Sequence, residues 1–222
     1  MIFAAGFGTR MRHLTQDRPK PMVEVNSVPL IDHALALTQS LPAARTVVNL
    51  HYKPDMLIRH LAGRNVETIL ETPDILDTGG GLRNALPLLQ HTTVMTLNPD
   101  VLWGGANPLT LLAKAWDPDR MEALLMCVPQ HNAIGYTGSG DFITDAQGRA
   151  TRGHGVVYGC AQIIKTDLLH SIPDKAFSLN VLWDMMIERN SLYTVEYDGK
   201  WCDVGHPEGI EPAQRMLDAR NV

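Results

Sequence analysis

Through the first hundred residues, apolar runs of strand length alternate with helical patterns, and this alternation limits the possible folds more than any other feature of the chain. Ile2–Ala5, Thr46–Leu50, Val66–Leu70 and Thr93–Leu97 read as strands, with Pro29–Leu41, Pro54–Ala62 and Gly81–Leu89 as the helices between them. A helix between two strands carries the chain back along the sheet, so the strands run parallel, and parallel strands need cover on both faces. The expectation is an α/β fold: an open mixed, mostly parallel sheet with helices on both faces. In such sheets ligands collect beyond the carboxyl ends of the strands. Gly6–Gly8, Asn49–His51, Thr78–Gly81 and Asp100 all fall just after strands, so they are expected to converge.

The first strand runs into Gly6-Phe7-Gly8-Thr9-Arg10-Met11 and then Arg18-Pro19-Lys20-Pro21. Gly6 and Gly8 carry no Cβ, so the backbone can bend sharply and aim consecutive N–H groups at phosphate oxygens. Arg10 adds a planar fork of donors, and Lys20, stiffened by a proline on each side, adds a point charge. A nucleotide is the expected ligand. The Walker pattern fails because no Gly-Lys-Ser/Thr follows, and the dinucleotide fingerprint fails because Met11 stands at its third glycine.

Composition narrows the partners. With a net charge of -5 from 19 Lys and Arg against 24 Asp and Glu, no broad basic face is available, which argues against nucleic acid. No run of about 18 apolar residues suggests a membrane span, and no signal-like segment precedes the first strand, so a cytoplasmic location is expected. Cys127, Cys160 and Cys202 lack CxxC spacing and read as core thiols rather than disulfides or a zinc site.

After Gly104 the pattern loosens into a helix at Pro108–Trp116, a strand at Ala123–Val128 and a glycine-rich stretch from Gly135 to Gly155. Strands at Val156–Ile164 and Tyr193–Tyr197 and helices at Leu179–Arg189 and Pro207–Ala219 follow. There is no linker-like composition and no internal repeat. One domain over 1–222 is expected, with a nucleotide-binding half at 1–103 and a sugar-phosphate half at 104–222.

Ala4-Ala5-Gly6-Phe7-Gly8-Thr9-Arg10-Met11, Leu14-Thr15 and Pro19-Lys20-Pro21 together resemble the signature of the sugar-phosphate nucleotidyltransferases. The resemblance implies a Rossmann-like sheet of the nucleotide-diphospho-sugar transferase type. It also implies nucleotide contacts from Ala4, Ala5, Gly6, Gly8, Thr9, Arg10 and Lys20. Asp77-Thr78-Gly79-Gly80-Gly81-Leu82, Asn49 and His51 resemble the bacterial uridylyltransferase branch that makes UDP-N-acetylmuramic acid in cell-wall recycling. In that branch Gly79 and Gly80 would let a base lie against backbone, with Asn49 beside it. Without the resemblance, the glycines read equally well as a helix N-terminal loop.

Asp100 in Asn98-Pro99-Asp100 and Asp203 in Trp201-Cys202-Asp203-Val204-Gly205-His206 each close a strand. A lone aspartate there is more often a turn or cap than a metal ligand. The resemblance pairs them as ligands of Mg²⁺, although Pro99 replaces the family's small residue and His206 its usual threonine. Catalysis would then rest on Arg10, Lys20, Asp100 and Asp203. Gly138-Ser139-Gly140-Asp141-Phe142 and Tyr158-Gly159-Cys160 resemble the family's sugar-facing segments, which implies sugar-phosphate contacts from Asp100, Gly140, Asp141 and Gly159. The implied partners are a nucleoside triphosphate, UTP first, and a sugar 1-phosphate, with the chain acting as a monomer or small homo-oligomer. Mannose-1-phosphate guanylyltransferase is the alternative activity, and a catalytically silent regulator that binds nucleotide sugars is a third reading.

Overall fold

Strand Ala123–Val128 is buried along its whole length, and its side chains alternate between two cores. Leu124, Met126 and Val128 enter one cluster, and Ala123, Leu125 and Cys127 enter the other. A strand covered on both faces places the sheet between two helical layers. The computed structural model describes residues 1–41 and 45–219.

In chain order the strands are β1 (Ile2–Phe3), β2 (Glu24–Val25), β3 (Val28–Pro29), β4 (Val47–Leu50), β5 (Glu67–Leu70), β6 (Thr93–Leu97) and β7 (Val101–Gly104). They continue with β8 (Ala123–Val128), β9 (Ala133–Ile134), β10 (Phe142–Thr144), β11 (Ala150–Arg152), β12 (Val157–Lys165), β13 (Leu192–Glu196) and β14 (Lys200–Asp203). The helices are α1 (Leu30–Thr38), α2 (Pro54–Leu61), α3 (Asp77–Leu89), α4 (Pro108–Ala115), α5 (Asn180–Glu188) and α6 (Ile210–Asp218). The main sheet runs β13-β8-β12-β6-β1-β4-β5. β1 pairs in parallel with β4 and β6, β4 with β5, and β8 with β13, whereas β12 is antiparallel to both its neighbours. This is the mixed, mostly parallel sheet expected. Ile31, Leu57 and Leu109 bring α1, α2 and α4 to one face, and Leu82 and Trp183 bring α3 and α5 to the other.

The chain leaves β1 toward β4 on one side, while β6 lies on the other. The crevice at that reversal of strand order is where an open α/β sheet receives its ligand. A smaller sheet, β7-β14-β9, stands beside it. β14 pairs antiparallel with β7, Asp203 opposite Val101, and the Val204 amide donates to the Asp100 carbonyl at 2.9 Å. Two segments a hundred residues apart are thereby joined at the crevice.

The structure departs from the sequence expectations in several places. β1 ends at Phe3, leaving Ala4 and Ala5 in the turn. Pro29 closes the β2–β3 hairpin, whose Asn26 and Ser27 have φ of 53° and 60°, and α1 begins one residue later. The glycine-rich stretch contains the β10–β11 hairpin, and β7 and β9 add strands that the sequence pattern does not announce. Pro207–Gly209 forms a 3₁₀ turn before α6. Among the described residues no helix is long and apolar enough to cross a membrane.

The largest difference is α3, which begins at Asp77 rather than Gly81 and so takes in the glycine run. Glycine is a poor helix former, but here close packing overrides that preference. A Cβ on Gly79 would strike the Phe177 ring. One on Gly80 would lie 2.5 Å from the Lys175 carbonyl oxygen, and one on Gly81 would lie 2.6 Å from Oε1 of Glu71. The Gly79 and Gly80 amides donate to the Phe177 carbonyl at 2.8 and 3.1 Å. Gly80→Ala is therefore expected to destabilise the protein by about 1–3 kcal/mol despite alanine's better helix propensity, because the obstructing atom is backbone. Urea denaturation followed by circular dichroism measures this.

Candidate active site

Beyond β1 the turn is built by side chains as well as glycines. The Ala4 amide donates to Oδ1 of Asn49 at 2.9 Å, which fixes the direction in which the chain leaves the sheet. Gly8 has φ +66°, and a Cβ there would lie 2.9 Å from Cβ of Lys20 and 3.0 Å from Cγ2 of Thr15. The missing side chain at Gly8 thus makes room for Lys20 beside the turn. The Met11 amide and the Thr15 hydroxyl both donate to the Gly8 carbonyl at 2.9 Å. Met11 is fully buried with Leu102, Cys202 and Val204, so it ties the turn to the strands that carry the aspartates.

Pro19 and Pro21 hold Lys20 in a 3₁₀ turn. Its Nζ lies 2.5 Å from Oδ2 of Asp100, with the two side chains 11% and 19% exposed, so the ammonium neutralises that carboxylate in a partly dry site. Asp203 turns back on its own chain, and its Oδ1 accepts from the Gly205 amide at 2.6 Å. A Cβ on Gly205 would lie 2.7 Å from that oxygen and 3.4 Å from Cζ of Arg10, so the Asp203 carboxylate and the Arg10 guanidinium flank the same glycine. The structure brings Arg10, Lys20, Asp100 and Asp203 together.

A cavity of about 260 Å³ opens over this group. Ala4, Ala5, Gly6, Gly8, Thr9, Arg10 and Lys20 form one wall, Asn98, Pro99 and Asp100 a second, and Asn49, Glu71, Ile75, Asp77 and Thr78 a third. Asp203 does not line it and sits opposite Val101, on the strand paired with the segment that follows Asp100. Gly79 and Gly80 do not line it, being covered by Phe177 and Lys175. Gly140, Asp141 and Gly159 also lie outside the lining. Gly140, with φ +97°, packs on the Gly155 backbone, Asp141 accepts from the Tyr158 amide at 2.8 Å, and Gly159 lies under Trp103. His51 bonds to the Glu71 carbonyl at 2.9 Å, and Phe7 lies edge-on to the His51 ring. Glu71 and Ile75 join the site without having been singled out from the sequence, whereas Asp77 and Thr78 belong to the glycine motif noted there. The available signal was a carboxylate closing a strand next to a glycine run.

Two carboxylates on adjacent chain segments offer hard oxygen ligands. Among the described residues no group of three or more histidine, cysteine or carboxylate side chains converges as a metal cage. That donor set fits Mg²⁺, which is usually held by one or two carboxylates with phosphates and water completing the octahedron. Cys160 sits in a β-bulge of β12 with φ +66° and is only partly buried, whereas Cys127 and Cys202 are buried. Desolvation pushes the Cys160 thiol well above its ordinary pKa, and the charges of Asp100, Asp203 and Asp141 push the same way, with Lys20 opposing. Burial likewise raises Cys127 strongly and Cys202 to about 12. Thiolate is the reactive form, so iodoacetamide near neutral pH is expected to leave the native protein unmodified and to label all three cysteines after unfolding. Intact-mass measurement checks this.

A strand-end glycine turn with an adjacent lysine–aspartate pair suits triphosphate chemistry, and comparison with known proteins agrees. Residues 1–170 match the family model of the MobA-like NTP transferase domain. The chain belongs to that family. This MobA-like NTP transferase chain is 35% identical to the N-acetylmuramate alpha-1-phosphate uridylyltransferase of Caulobacter vibrioides, over 98% of its own length and 96% of the relative's. It is 28% identical to the enzyme of the same name from Neisseria meningitidis serogroup B, over 99% and 98% of the two chains. Among solved structures, HddC from Yersinia pseudotuberculosis complexed with GMP-PN superposes with a TM-score of 0.78 at 21% identity, covering 96% of each chain, which supports the fold.

Proposed function

We propose that this nucleotidyltransferase moves a uridylyl group from UTP to N-acetylmuramate 1-phosphate, giving UDP-N-acetylmuramate and pyrophosphate, as a cytoplasmic step of peptidoglycan recycling. The observation that carries the reading is the Lys20–Asp100 ion pair beneath the glycine turn, with Asp203 on the neighbouring segment. The full-length similarity to the uridylyltransferases supports this choice of base and sugar.

In the reaction an oxygen of the sugar phosphate attacks the α-phosphorus in line, the new O–P bond forms, and the bond to the β-phosphate oxygen breaks. The attacking phosphate is already ionised and needs no general base, so catalysis depends on positioning and charge neutralisation. Amides of the Gly6–Gly8 turn would face the phosphates. Lys20 would shift its charge from Asp100 toward the reacting phosphate, and Arg10 would hold the departing pyrophosphate. Asp100 and Asp203 would hold Mg²⁺, which would supply neutralisation of phosphate charge. Asp141 and the backbone at Gly140 and Gly159 would meet the sugar when substrate is bound.

Lys20→Ala and Arg10→Ala are each expected to lower kcat about 10²- to 10³-fold in a folded protein, the scale for removing one aligned charge-stabilising donor. Near-parental turnover by Lys20→Ala would overturn the assignment. Substrate choice is read by pyrophosphate release with UTP, GTP, dTTP and CTP crossed against the 1-phosphates of N-acetylmuramate, glucosamine, glucose and mannose. The expected best pair is UTP with N-acetylmuramate 1-phosphate; preference for GTP with mannose 1-phosphate would assign guanylyl transfer instead.

A further inference from the structure

Glu71 is 1% exposed and lies at the carboxyl end of β5, on the cavity wall across from the phosphate turn. Both its side-chain oxygens accept from neutral donors. Oε1 takes the Asn49 side-chain amide at 2.7 Å, and Oε2 takes the Leu76 backbone amide at 2.7 Å. Asn49 passes the constraint on, because its Oδ1 accepts from the Ala4 amide at 2.9 Å. The chain of bonds crosses the carboxyl ends of β5, β4 and β1 in turn, and it begins at the segment that places Ile75, Asp77 and Thr78 in the cavity.

We propose that Glu71 is a positioning residue for nucleotide binding, holding the phosphate turn through Asn49 and coupling that turn to the opposite cavity wall. The proposal rests on the reading that the turn binds phosphates. Direction is built into the network. Asn49 must give its oxygen to Ala4 and its amide to Glu71, so Glu71 must accept at one oxygen while Leu76 requires the other. Gly81 belongs to the same arrangement, since a Cβ there would lie 2.6 Å from Glu71 Oε1 and 3.0 Å from Asn49 Nδ2. An apolar contact could pack this space, but only a donor at Ala4 and an acceptor at Glu71 fix which way Asn49 points.

The directionality supplies the test. Glu71→Gln keeps the shape but has one acceptor oxygen, so either Leu76 or Asn49 faces an amide group and a buried donor is left unpaired. Adding Asn49→Asp inverts the polarity and completes the network again. The carboxylate introduced at position 49 would accept from both the Ala4 amide and the side-chain amide introduced at position 71, whose oxygen would in turn accept from Leu76. In the full chain, Glu71→Gln is expected to raise the KM for UTP about 10- to 100-fold while changing kcat far less. It should also speed amide exchange in peptides covering residues 2–8 by about tenfold. The double variant is expected to recover slow exchange in the turn, the readout that does not depend on Asn49 also touching the nucleotide. Parental KM and exchange in Glu71→Gln, or a double variant no closer to the parent than Glu71→Gln, would overturn the proposal. If Glu71→Gln does not fold, the double variant decides alone, and its failure to fold or to protect the turn counts against the network. Hydrogen exchange needs no turnover, so a parent protein inactive on every substrate pair would overturn the functional reading and leave exchange to judge Glu71.

Discussion

The site depends on one backbone hydrogen bond, from the Val204 amide to the Asp100 carbonyl, which continues the β7–β14 ladder into the crevice. Without it Asp100 is a strand-end residue paired with a lysine and Asp203 is a turn residue bonded to its own glycine. With it they form one acidic edge facing two cations. Met11, buried against Leu102 and Val204, fastens the phosphate turn to the same pair of segments. The glycine turn, the cations and the carboxylates are therefore tied together by one set of contacts, which suits the proposed chemistry, dependent on placement rather than proton transfer.

Much of the architecture is legible in the sequence because β-branched and apolar runs at Val47–Leu50, Thr93–Leu97 and Ala123–Val128 are largely buried and stand out by composition. β9 is only two residues long and β7 follows a tight turn, so neither carries a pattern that periodicity could detect. The start of α3 escapes the sequence for a different reason: the local preference of three glycines points away from helix, and contacts from Lys175, Phe177 and Glu71 reverse it.

The same division runs through the site. Arg10, Lys20, Asp100 and Asp203 are legible because their charges state what they can do, and the structure brings them together. Gly79, Gly80, Gly140 and Gly159 read in the sequence as surfaces for a ligand. A glycine signals that something approaches closely, but it does not say what. Here the atoms that would exclude a Cβ belong to the Phe177 ring, the Lys175 and Gly155 backbones and the Trp103 ring, so packing alone already calls for glycine at these positions. Glu71 escapes notice because a carboxylate closing a strand beside a glycine run does not by itself say that neutral donors bury it.

The distance along the chain between β1 and β14 bears on how the protein comes into being. The phosphate turn needs strands that end by Leu97, whereas the second carboxylate arrives on Asp203. Such remote pairings form slowly and late, because a long stretch of chain must be ordered before they are rewarded. A polypeptide stalled or cleaved midway would carry Arg10, Lys20 and Asp100 but not Asp203, so on the proposed mechanism activity would report that synthesis has passed β14 and that β14 has docked.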